Sequence, residues 1–471
     1  MDGKLTDLAE IRAKVHGRAA EEMKALAEAP CDDQEEISQK FISDCLDANE
    51  VGDGSLFAEL HRKNFVYNAS TGSWLLWAGH HWQNDILERA LSAVEDVAMK
   101  YNEYREALAE KISEIEQDEE RKSGAYIAAL KKKRKSLESR IDRLRATKGR
   151  RSCLEMARTL KDESLVIEGE AIDVDPWLLA CKNGVIDLRT GVFRPGKQAD
   201  YLLKASPIEW AGADADRSAW EKALFEMFND DSEMVAFIQR LCGYAITGAS
   251  SEAVFPVMYG RGRNGKSRIV EIMKYVLGPL SDSIPAEMLL DQGRNAKSPS
   301  GPSPELMALK GMRFGFATET DDGRKFSPSR VKWLTGGDTI TGRNPHDKHQ
   351  VSFVPTHTLF LLTNDKPRAP AHDFAFWERC LLIPFELSFV DREPEEDFER
   401  RADKALPEKL KAQAPGILAW LVEGCLAWQK IGLAPPDKVK NATEEYQRAE
   451  DDLADWIDEC CDLVDGYHDQ A

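Results

Sequence analysis

The feature that most constrains this chain is a glycine-rich loop between a strand-like and a helix-like segment. Residues 260–267 read GRGRNGKS; they follow the apolar run VFPVM and precede IVEIMKYVL, which has the apolar spacing of a helix. The pattern GxxxxGK[ST] between a strand and a helix is typical of a phosphate-binding loop. Strand and helix signals then alternate to about Phe389, as an α/β sheet requires.

Each residue type in this loop has a chemical reason. Glycines let backbone N–H groups curl around an anion, and the N-terminus of the following helix adds a favourable dipole. The ammonium of Lys266 would reach the β- and γ-phosphates, and the hydroxyl of Ser267 would ligate Mg²⁺. We therefore predict ATP and Mg²⁺ as cofactors. The predicted nucleotide contacts are Gly260, Gly262, Asn264, Gly265, Lys266 and Ser267.

Two polar residues follow apolar segments farther along the chain. The strand-like MRFGFAT precedes Glu319, where a carboxylate could hold Mg²⁺ or polarise the attacking water. The almost wholly apolar THTLFLLT indicates a buried central strand, and it ends at Asn364, a candidate sensor of the γ-phosphate. The alternatives are a surface glutamate and a helix-capping asparagine.

Arg379 stands just before another apolar segment, LLIPF. An arginine at such a boundary can be supplied to the ATP of a neighbouring subunit, where it stabilises the charge of the transition state. A salt bridge with Glu378 or another acid is the alternative, and the sequence leaves the two open.

The amino-acid composition limits the classes of protein to which the chain can belong. The 471 residues include 31% charged residues and carry a formal net charge of −19, which argues against coating nucleic acid by bulk charge but not against a local basic contact. No apolar run reaches the length of a membrane helix, and the N-terminus lacks the apolar core of a signal peptide. We expect a cytoplasmic protein without a membrane partner.

The first half of the chain predicts a different organisation. Aromatic residues alternate within 56–85 as in a small β-meander, and 88–160 has the composition of long helices. An acidic first helix and a basic second one favour an antiparallel hairpin with complementary charges; a DNA-contacting arm is the alternative. The segment NGVIDLRTGVF predicts a β-hairpin.

Five blocks together resemble a known family. GRGRNGKS, FGFATETDDG, VKWLTGGDTITGR, LFLLTNDKPR and FWERCLLIPF occur in the order of the superfamily 3 helicase domain. The chain is similar, over roughly 215–460, to the branch found in phage, plasmid and poxvirus primase–helicases. The resemblance implies an α/β fold: an AAA+-like P-loop ATPase core with a parallel sheet, preceded by a small α+β domain with a long helical hairpin and followed by a helical tail.

The expected domain boundaries follow from this resemblance. They are a helical N-terminal segment at 1–50, a small α+β domain at 51–212 that includes the arm 88–160, the ATPase domain at 213–395 and a helical segment at 396–471.

The resemblance also implies an assembly and roles for single residues. It implies a ring, usually a homo-hexamer, with ATP bound between subunits and DNA in the pore. Lys266 and Ser267 would bind phosphate and Mg²⁺, with Glu319 as the Walker B acid and second metal contact. Asn364 would be the sensor, and Arg379 the finger supplied by the neighbour.

One block implies a DNA contact. LTGGDTITGRNPHDKHQVSF (334–353) matches the family motif in which a hairpin projects into the pore, and Lys332 just before it is a candidate to face the nucleotide. The turn of the hairpin concentrates basic side chains that can contact phosphates of single-stranded or forked DNA; a solvated hairpin end is the alternative. The predicted DNA contacts are Arg343, His346, Lys348 and His349.

The chain departs from the family pattern in two places. Glu319 is followed by Thr320 where the family often has a second acid, so Asp321 or Asp322 is a candidate substitute. Residues 1–50 are too short for the upstream primase domain, so we expect either a fragment of a larger primase–helicase, partnered by a primase, or a short helicase.

Two functions are consistent with these patterns. The first is an ATP-dependent, ring-forming replicative DNA helicase of a phage or mobile element; the resemblance implies the cytoplasm of a bacterial host or virus-infected cell as its location. The second is an ATP-regulated, DNA-binding replication initiator or scaffold without processive unwinding. A small-molecule kinase is disfavoured because it has no need for the block between Glu319 and Asn364.

Overall fold

The computed structural model describes residues 37–118, 124–161, 165–292, 302–318, 324–343, 345 and 350–451. The chain divides into two compact units. We call the described residues of 25–174 and 196–203 the helical unit, and those of 175–195 and 204–471 the sheet unit. Within the described residues no helix is both long and apolar enough to cross a membrane.

The helical unit is built mainly from five helices. They are α1 (Gln39–Asp47), α2 (Asn49–His61), α3 (Arg89–Gln117), α4 (Gly124–Arg145) and α5 (Thr147–Thr159). The predicted hairpin is confirmed, since α3 and α4 pack along each other and Lys131 pairs with Glu116 at 2.8 Å. The structure adds α5 as a separate helix that packs on α2.

Arginines of the basic arm point inward as well as outward. The carboxylate of Asp53 is 1% exposed and accepts hydrogen bonds from Arg140, Arg143 and the hydroxyl of Tyr101. A buried carboxylate needs such partners, because an unpaired charge in the interior is costly. These two basic residues are therefore part of the packing of the unit rather than of an open DNA-binding face.

A small sheet completes the helical unit. Its strands are β1 (Phe65–Asn68), β2 (Ser73–Trp77), β3 (Trp82–Asn84) and β4 (Val166–Ile167), in the order β3-β2-β1-β4. The first three are antiparallel neighbours, which confirms the predicted meander, and β4 joins β1 in parallel. Trp74 packs edge-on against Phe57 and Tyr67, so it serves the core of this unit.

The sheet unit begins with the predicted β-hairpin. The hairpin joins β6 (Gly184–Asp187) to β7 (Val192–Arg194), and β5 (Leu178–Cys181) pairs with β6 to complete one antiparallel sheet. Leu179, Ile186 and Leu188 are buried in the same hydrophobic core as α6 (Ser218–Met227) and α7 (Ser232–Ala245). For this reason the division between the units does not coincide with the predicted boundary between 212 and 213.

The main sheet of this unit has five parallel strands. They are β8 (Phe255–Tyr259), β9 (Ser281–Ser283), β10 (Phe314–Thr318), β13 (Thr358–Thr363) and β14 (Cys380–Pro384), in the order β14-β8-β13-β10-β9. An α/β fold with a parallel sheet is thus confirmed. All six residues of β13 are buried, as its apolar run predicted for a central strand.

Helices and smaller strands surround this sheet. They are α8 (Lys266–Leu277), α9 (Pro304–Met307), α10 (Pro328–Thr335), the pair β11 (Ile340–Gly342) and β12 (Val351–Phe353), α11 (Phe374–Trp377), the pair β15 (Ser388–Val390) and β16 (Glu399–Arg401), α12 (Leu406–Ala412), α13 (Ala414–Ile431) and α14 (Asp437–Ala449). The helical tail is interrupted between α13 and α14, at the sequence GLAPP, as predicted.

The register of the sheet decides which residues meet. Thr363 of β13 is paired with Tyr259 of β8, and Leu362 is paired with Thr318 of β10. Because these strands are parallel, the segments that follow them start at one edge, which we call the carboxyl edge. The strand that precedes Glu319 is not beside the strand that precedes the glycine-rich loop, since β13 lies between them.

Candidate nucleotide-binding site

The glycine-rich loop leaves β8 at the carboxyl edge in a conformation that needs glycine. Gly260 and Gly265 have φ values of 155° and 92°. A Cβ at Gly260 would stand 2.2 Å from the carbonyl oxygen of Phe385, and one at Gly265 would stand 2.7 Å from the sulfur of Met227. At Gly260 the backbone conformation and the fixed carbonyl oxygen both exclude a side chain. At Gly265 the neighbour is the end of a flexible side chain, so the left-handed backbone is what favours glycine.

Backbone hydrogen bonds fix the loop to the segment after β14. The N–H of Phe389 donates to the carbonyl of Arg263 at 2.7 Å, which holds that non-glycine residue at a φ of 52°. The side chain of Asn264 is 3% exposed and donates to the carbonyl of Phe385 at 3.4 Å. Asn264 therefore supports the loop from inside, and what it would offer a nucleotide is its backbone.

The helix after the loop begins without a side-chain cap. Its N-cap is Gly265, so no side-chain oxygen satisfies the first-turn N–H groups of α8. Such an uncapped N-terminus attracts anions through its free donors and its dipole. The side chain of Ser267 is exposed in this first turn, so its hydroxyl is accessible to a metal ion that accompanies a phosphate group.

Lys266 is the central side chain of the site. It is 5% exposed, and its ammonium donates to the carbonyl of Gly260 at 2.5 Å and to the amide oxygen of Asn364 at 3.1 Å. Asn364 follows β13 directly. The neighbouring positions of β8 and β13 in the sheet thus bring the predicted phosphate-binding lysine and the predicted sensor into contact.

A pocket of about 450 Å³ opens at this place. Residues 262–268 and Asn364 form its polar side. The apolar lining residues, which we call the apolar wall, are Ala223, Met227, Phe389, Ala402 and Leu406. The remaining lining residues are the carboxylates Glu226, Asp391 and Asp403. This combination of an apolar wall with a few converging polar groups is typical of small-molecule sites.

The sequence did not reveal the apolar wall. Its residues belong to α6, to β15, to the position directly after β16 and to the start of α12, far along the chain from the loop. A single apolar residue on a helix or short strand has the same pattern whether it packs in a core or lines a pocket. Only the packing of these elements around the loop distinguishes the two.

The oxygen ligands at the pocket are suited to an Mg²⁺ ion that binds together with a nucleotide. Among the described residues no group of three or more His, Cys, Asp or Glu side chains could hold a metal by itself. Mg²⁺ keeps several waters and takes only one or two protein ligands beside substrate phosphates. Ser267 meets that requirement at the pocket, and the predicted second ligand, Glu319, lies outside the described residues.

Arg379 lies at the opposite, amino edge of the sheet. Its carbonyl accepts from the N–H of Phe255, the first residue of β8, at 2.6 Å. The length of β8 therefore separates it from the loop, about 13 Å at 3.3 Å per residue. Its side chain donates to the carbonyl of Ala375 at 2.7 Å, so this hydrogen bond does not go to Glu378.

Lys332 does not line the pocket of its own chain. Its ammonium lies 2.9 Å from a carboxylate oxygen of Asp373, and both residues stand at the amino edge near Arg379. The guanidinium of Arg379 and the ammonium of Lys332 both lower the pKa of Asp373, the hydrogen bond from Lys332 being the larger cause. Lys332 therefore faces Asp373 in its own chain, and its role toward a nucleotide bound between subunits stays a prediction.

The two arms of the predicted DNA-contacting hairpin are present. β11 and β12 pair antiparallel, with Ile340 opposite Phe353. Arg343 follows β11, and its carbonyl accepts from the N–H of Ser303 at 2.9 Å. The other predicted contacts, His346, Lys348 and His349, lie outside the described residues.

Comparison with known proteins relates the chain to viral proteins named as putative helicases and primases. Residues 54–229 match the family described as "D5 N terminal like". The chain is 30% identical to "Putative helicase L207/L206" of Acanthamoeba polyphaga mimivirus over 62% of its own length and 31% of that protein. It is 26% identical to "Putative helicase 121R" of Invertebrate iridescent virus 3 over 90% of its length and 49% of that protein.

These findings relate the chain to the D5-like primase–helicase family of viral and phage proteins. Another relative is "Putative primase C962R" of African swine fever virus (isolate Tick/Malawi/Lil 20-1/1983), 22% identical over 62% of the chain and 31% of that protein. This D5-like chain thus spans between about a third and a half of the length of the curated relatives it matches. A solved structure, "The apo structure of NrS-1 C terminal region (305-718)", is similar with 13% identity and a TM-score of 0.41, over 66% of this chain and 70% of the other.

Proposed function

We propose that this D5-like chain is the ATP-hydrolysing part of a replicative DNA helicase of a virus, phage or other mobile element. The observation that carries the proposal is the contact between Lys266 and Asn364 at the carboxyl edge of the sheet. A phosphate-binding lysine beside the polar residue of a neighbouring strand forms a site that can distinguish ATP from ADP.

The order of the strands supports an AAA+-like core. The strand that leads to the predicted Walker B acid is separated from the loop strand by β13. Asn364 follows this intervening strand. The proposed sensor therefore lies between the strand that precedes Glu319 and the glycine-rich loop. A catalytic water held by an acid and a sensor needs polar groups from two strands beside the γ-phosphate.

The proposed chemistry distributes the roles over these residues. Lys266 and the N–H groups of the loop bind the phosphates, and Ser267 orients Mg²⁺, which neutralises charge on the phosphate oxygens. Glu319 accepts the proton of the attacking water or polarises it, while Asn364 orients that water or the γ-phosphate. Arg379, too far from its own loop, acts on the ATP of a second copy in a ring.

DNA contacts are assigned to the β11–β12 hairpin. The sequence concentrates four basic residues, Arg343, His346, Lys348 and His349, between β11 and β12 in a chain whose net charge is −19. Contacts of this type go to phosphates and do not select a sequence. A translocating ATPase needs such contacts, since it has to move along any sequence.

The test measures phosphate release by the wild-type chain with and without single-stranded DNA, and unwinding of a fork. We expect stimulation by DNA, and we expect Lys348→Ala to keep basal hydrolysis but lose stimulation and unwinding. Lys182→Ala, at a lysine that pairs with Glu209, is the control. Hydrolysis that DNA does not stimulate, together with ATP-dependent assembly measured by mass photometry, would favour the initiator or scaffold instead.

A further inference from the structure

An ion pair at the amino edge joins two elements with different proposed tasks. The ammonium of Lys332 on α10 lies 2.9 and 3.2 Å from the two carboxylate oxygens of Asp373. The side chains are 34% and 24% exposed. Neither residue lines the nucleotide pocket.

Asp373 holds the turn that carries Arg379. Its side chain accepts from the N–H of Phe376 and so caps α11, a helix of four residues. Arg379 continues this turn: its N–H donates to the carbonyl of Phe376 at 3.1 Å, and its guanidinium donates to the carbonyl of Ala375. In so short a helix, few contacts decide where the guanidinium points.

Lys332 belongs to the element that leads into the hairpin. Its carbonyl accepts from the N–H of Gly336 at 3.0 Å, and residues 336–339 connect α10 to β11. The same helix is tied to the sensor strand, because the carbonyl of Leu334 lies 3.0 Å from Nε2 of His357, the residue before β13. A shift of the hairpin therefore reaches α10 through a short connection.

We propose that Lys332 is a positioning residue whose ion pair with Asp373 couples the β11–β12 hairpin to the placement of Arg379. DNA held by the hairpin thereby regulates the arginine offered to the ATP of a second copy. This inference rests on the proposed function, and it adds the route from the DNA contact to hydrolysis. The physical requirement is an element whose position both sites can bias, which α10 supplies.

The energetics of the pair suit a coupling role better than a stabilising one. Partly exposed ion pairs contribute about 0–1 kcal/mol to folding. Removal of the pair should therefore leave the sheet unit folded. It should change only the direction of α11, which is a single helical turn. A coupling free energy between two sites is a separate quantity from stability and is measured as a change in stimulation.

Two variants remove the pair with little other damage. Lys332→Met keeps the length of the side chain, and Asp373→Asn keeps an oxygen that can cap α11. We expect each to lower the stimulation of hydrolysis by single-stranded DNA about fivefold or more and to leave basal hydrolysis within about twofold. The double variant should be no worse than either single one, and Lys332→Arg should retain stimulation.

The matched control is Lys274→Met, which removes the pair of Lys274 with Asp282 on the same unit. Binding of fluorescent single-stranded DNA by Lys332→Met should equal that of the wild type. Unchanged stimulation in Lys332→Met, or a parallel fall of basal and stimulated hydrolysis, overturns the coupling while leaving the helicase proposal intact. A wild-type chain that DNA does not stimulate overturns both.

Discussion

The ammonium of Lys266 lies 3.1 Å from the amide oxygen of Asn364, although 98 positions separate the two residues in the chain. The contact exists because β8 and β13 are hydrogen-bonded neighbours that end at the same edge. A γ-phosphate bound to Lys266 would therefore also stand beside Asn364. Both residues should therefore contribute to ATP hydrolysis. Their substitutions should differ in how strongly they weaken ATP binding.

Lys266→Ala should abolish hydrolysis, lowering kcat by at least about a hundredfold, because the cation that neutralises the β- and γ-phosphates is lost. Phosphate release at saturating ATP is the measurement. Lys274→Ala, on the same helix but paired with Asp282, is the matched control and should keep its activity. Equal losses in both variants would point to damage of α8 rather than to a role in catalysis.

Asn364→Ala should slow hydrolysis by about ten- to a hundredfold while changing the Kd for a non-hydrolysable ATP analogue by only a few-fold. The reason is that a sensor acts on the attacking water or the γ-phosphate, whereas the loop supplies most of the binding. Asp365→Ala, at the exposed next residue, is the control. A loss of affinity as large as the loss of rate would contradict a sensor role.

Glu319→Gln should bind ATP with Mg²⁺ but hydrolyse it at least about a hundredfold more slowly, because the amide cannot accept the proton of the water. The variants Asp321→Asn and Asp322→Asn test whether either acid complements Glu319, and one of them should lower the affinity for Mg²⁺. Titration of hydrolysis with Mg²⁺ separates these effects. An active Glu319→Gln variant would remove this residue from the mechanism.

Arg379→Ala should be inactive alone yet regain hydrolysis when mixed with the inactive Lys266→Ala. Mixed rings contain interfaces in which an intact loop meets an intact arginine, provided that Arg379 acts in trans. The measurement is phosphate release over a series of mixing ratios, with mixtures of Lys266→Ala and Glu319→Gln as the control. No recovery at any ratio would show that Arg379 acts only within its own chain.

His357 should make stability depend on pH. Burial lowers the pKa of this histidine from 6.5 to about 4, so the folded chain keeps it neutral where the unfolded chain protonates it. Stability therefore falls as the pH decreases from about 6.5 towards 4, by about 3 kcal/mol in all at 1.36 kcal/mol per pH unit. Above pH 6.5 this contribution is constant.

The measurement is the difference in unfolding free energy between His357→Gln and the wild type from pH 4 to 7. The variant should lose this part of the slope, since its side chain does not titrate. His372→Gln, whose side chain is 78% exposed, is the control and should keep the slope. An identical slope in His357→Gln would assign the acid sensitivity to other groups.

The sequence by itself determined the local elements. The loop and its flanking strand and helix, the meander near β1–β3, the helical hairpin and the break between α13 and α14 were all predicted, because apolar periodicity and turn residues act within a few positions. It also placed polar residues at strand ends, and hence at the edge where parallel strands bring them together.

Only the tertiary structure decided which of these elements are neighbours. It inserted β13 between β8 and β10, joined Lys266 to Asn364, and moved residues 175–195 into the core of the sheet unit. It also paired Lys332 with Asp373, which the sequence did not predict. Strand order and side-chain partners depend on the burial of apolar surface between distant segments, and no local pattern in a chain specifies that packing.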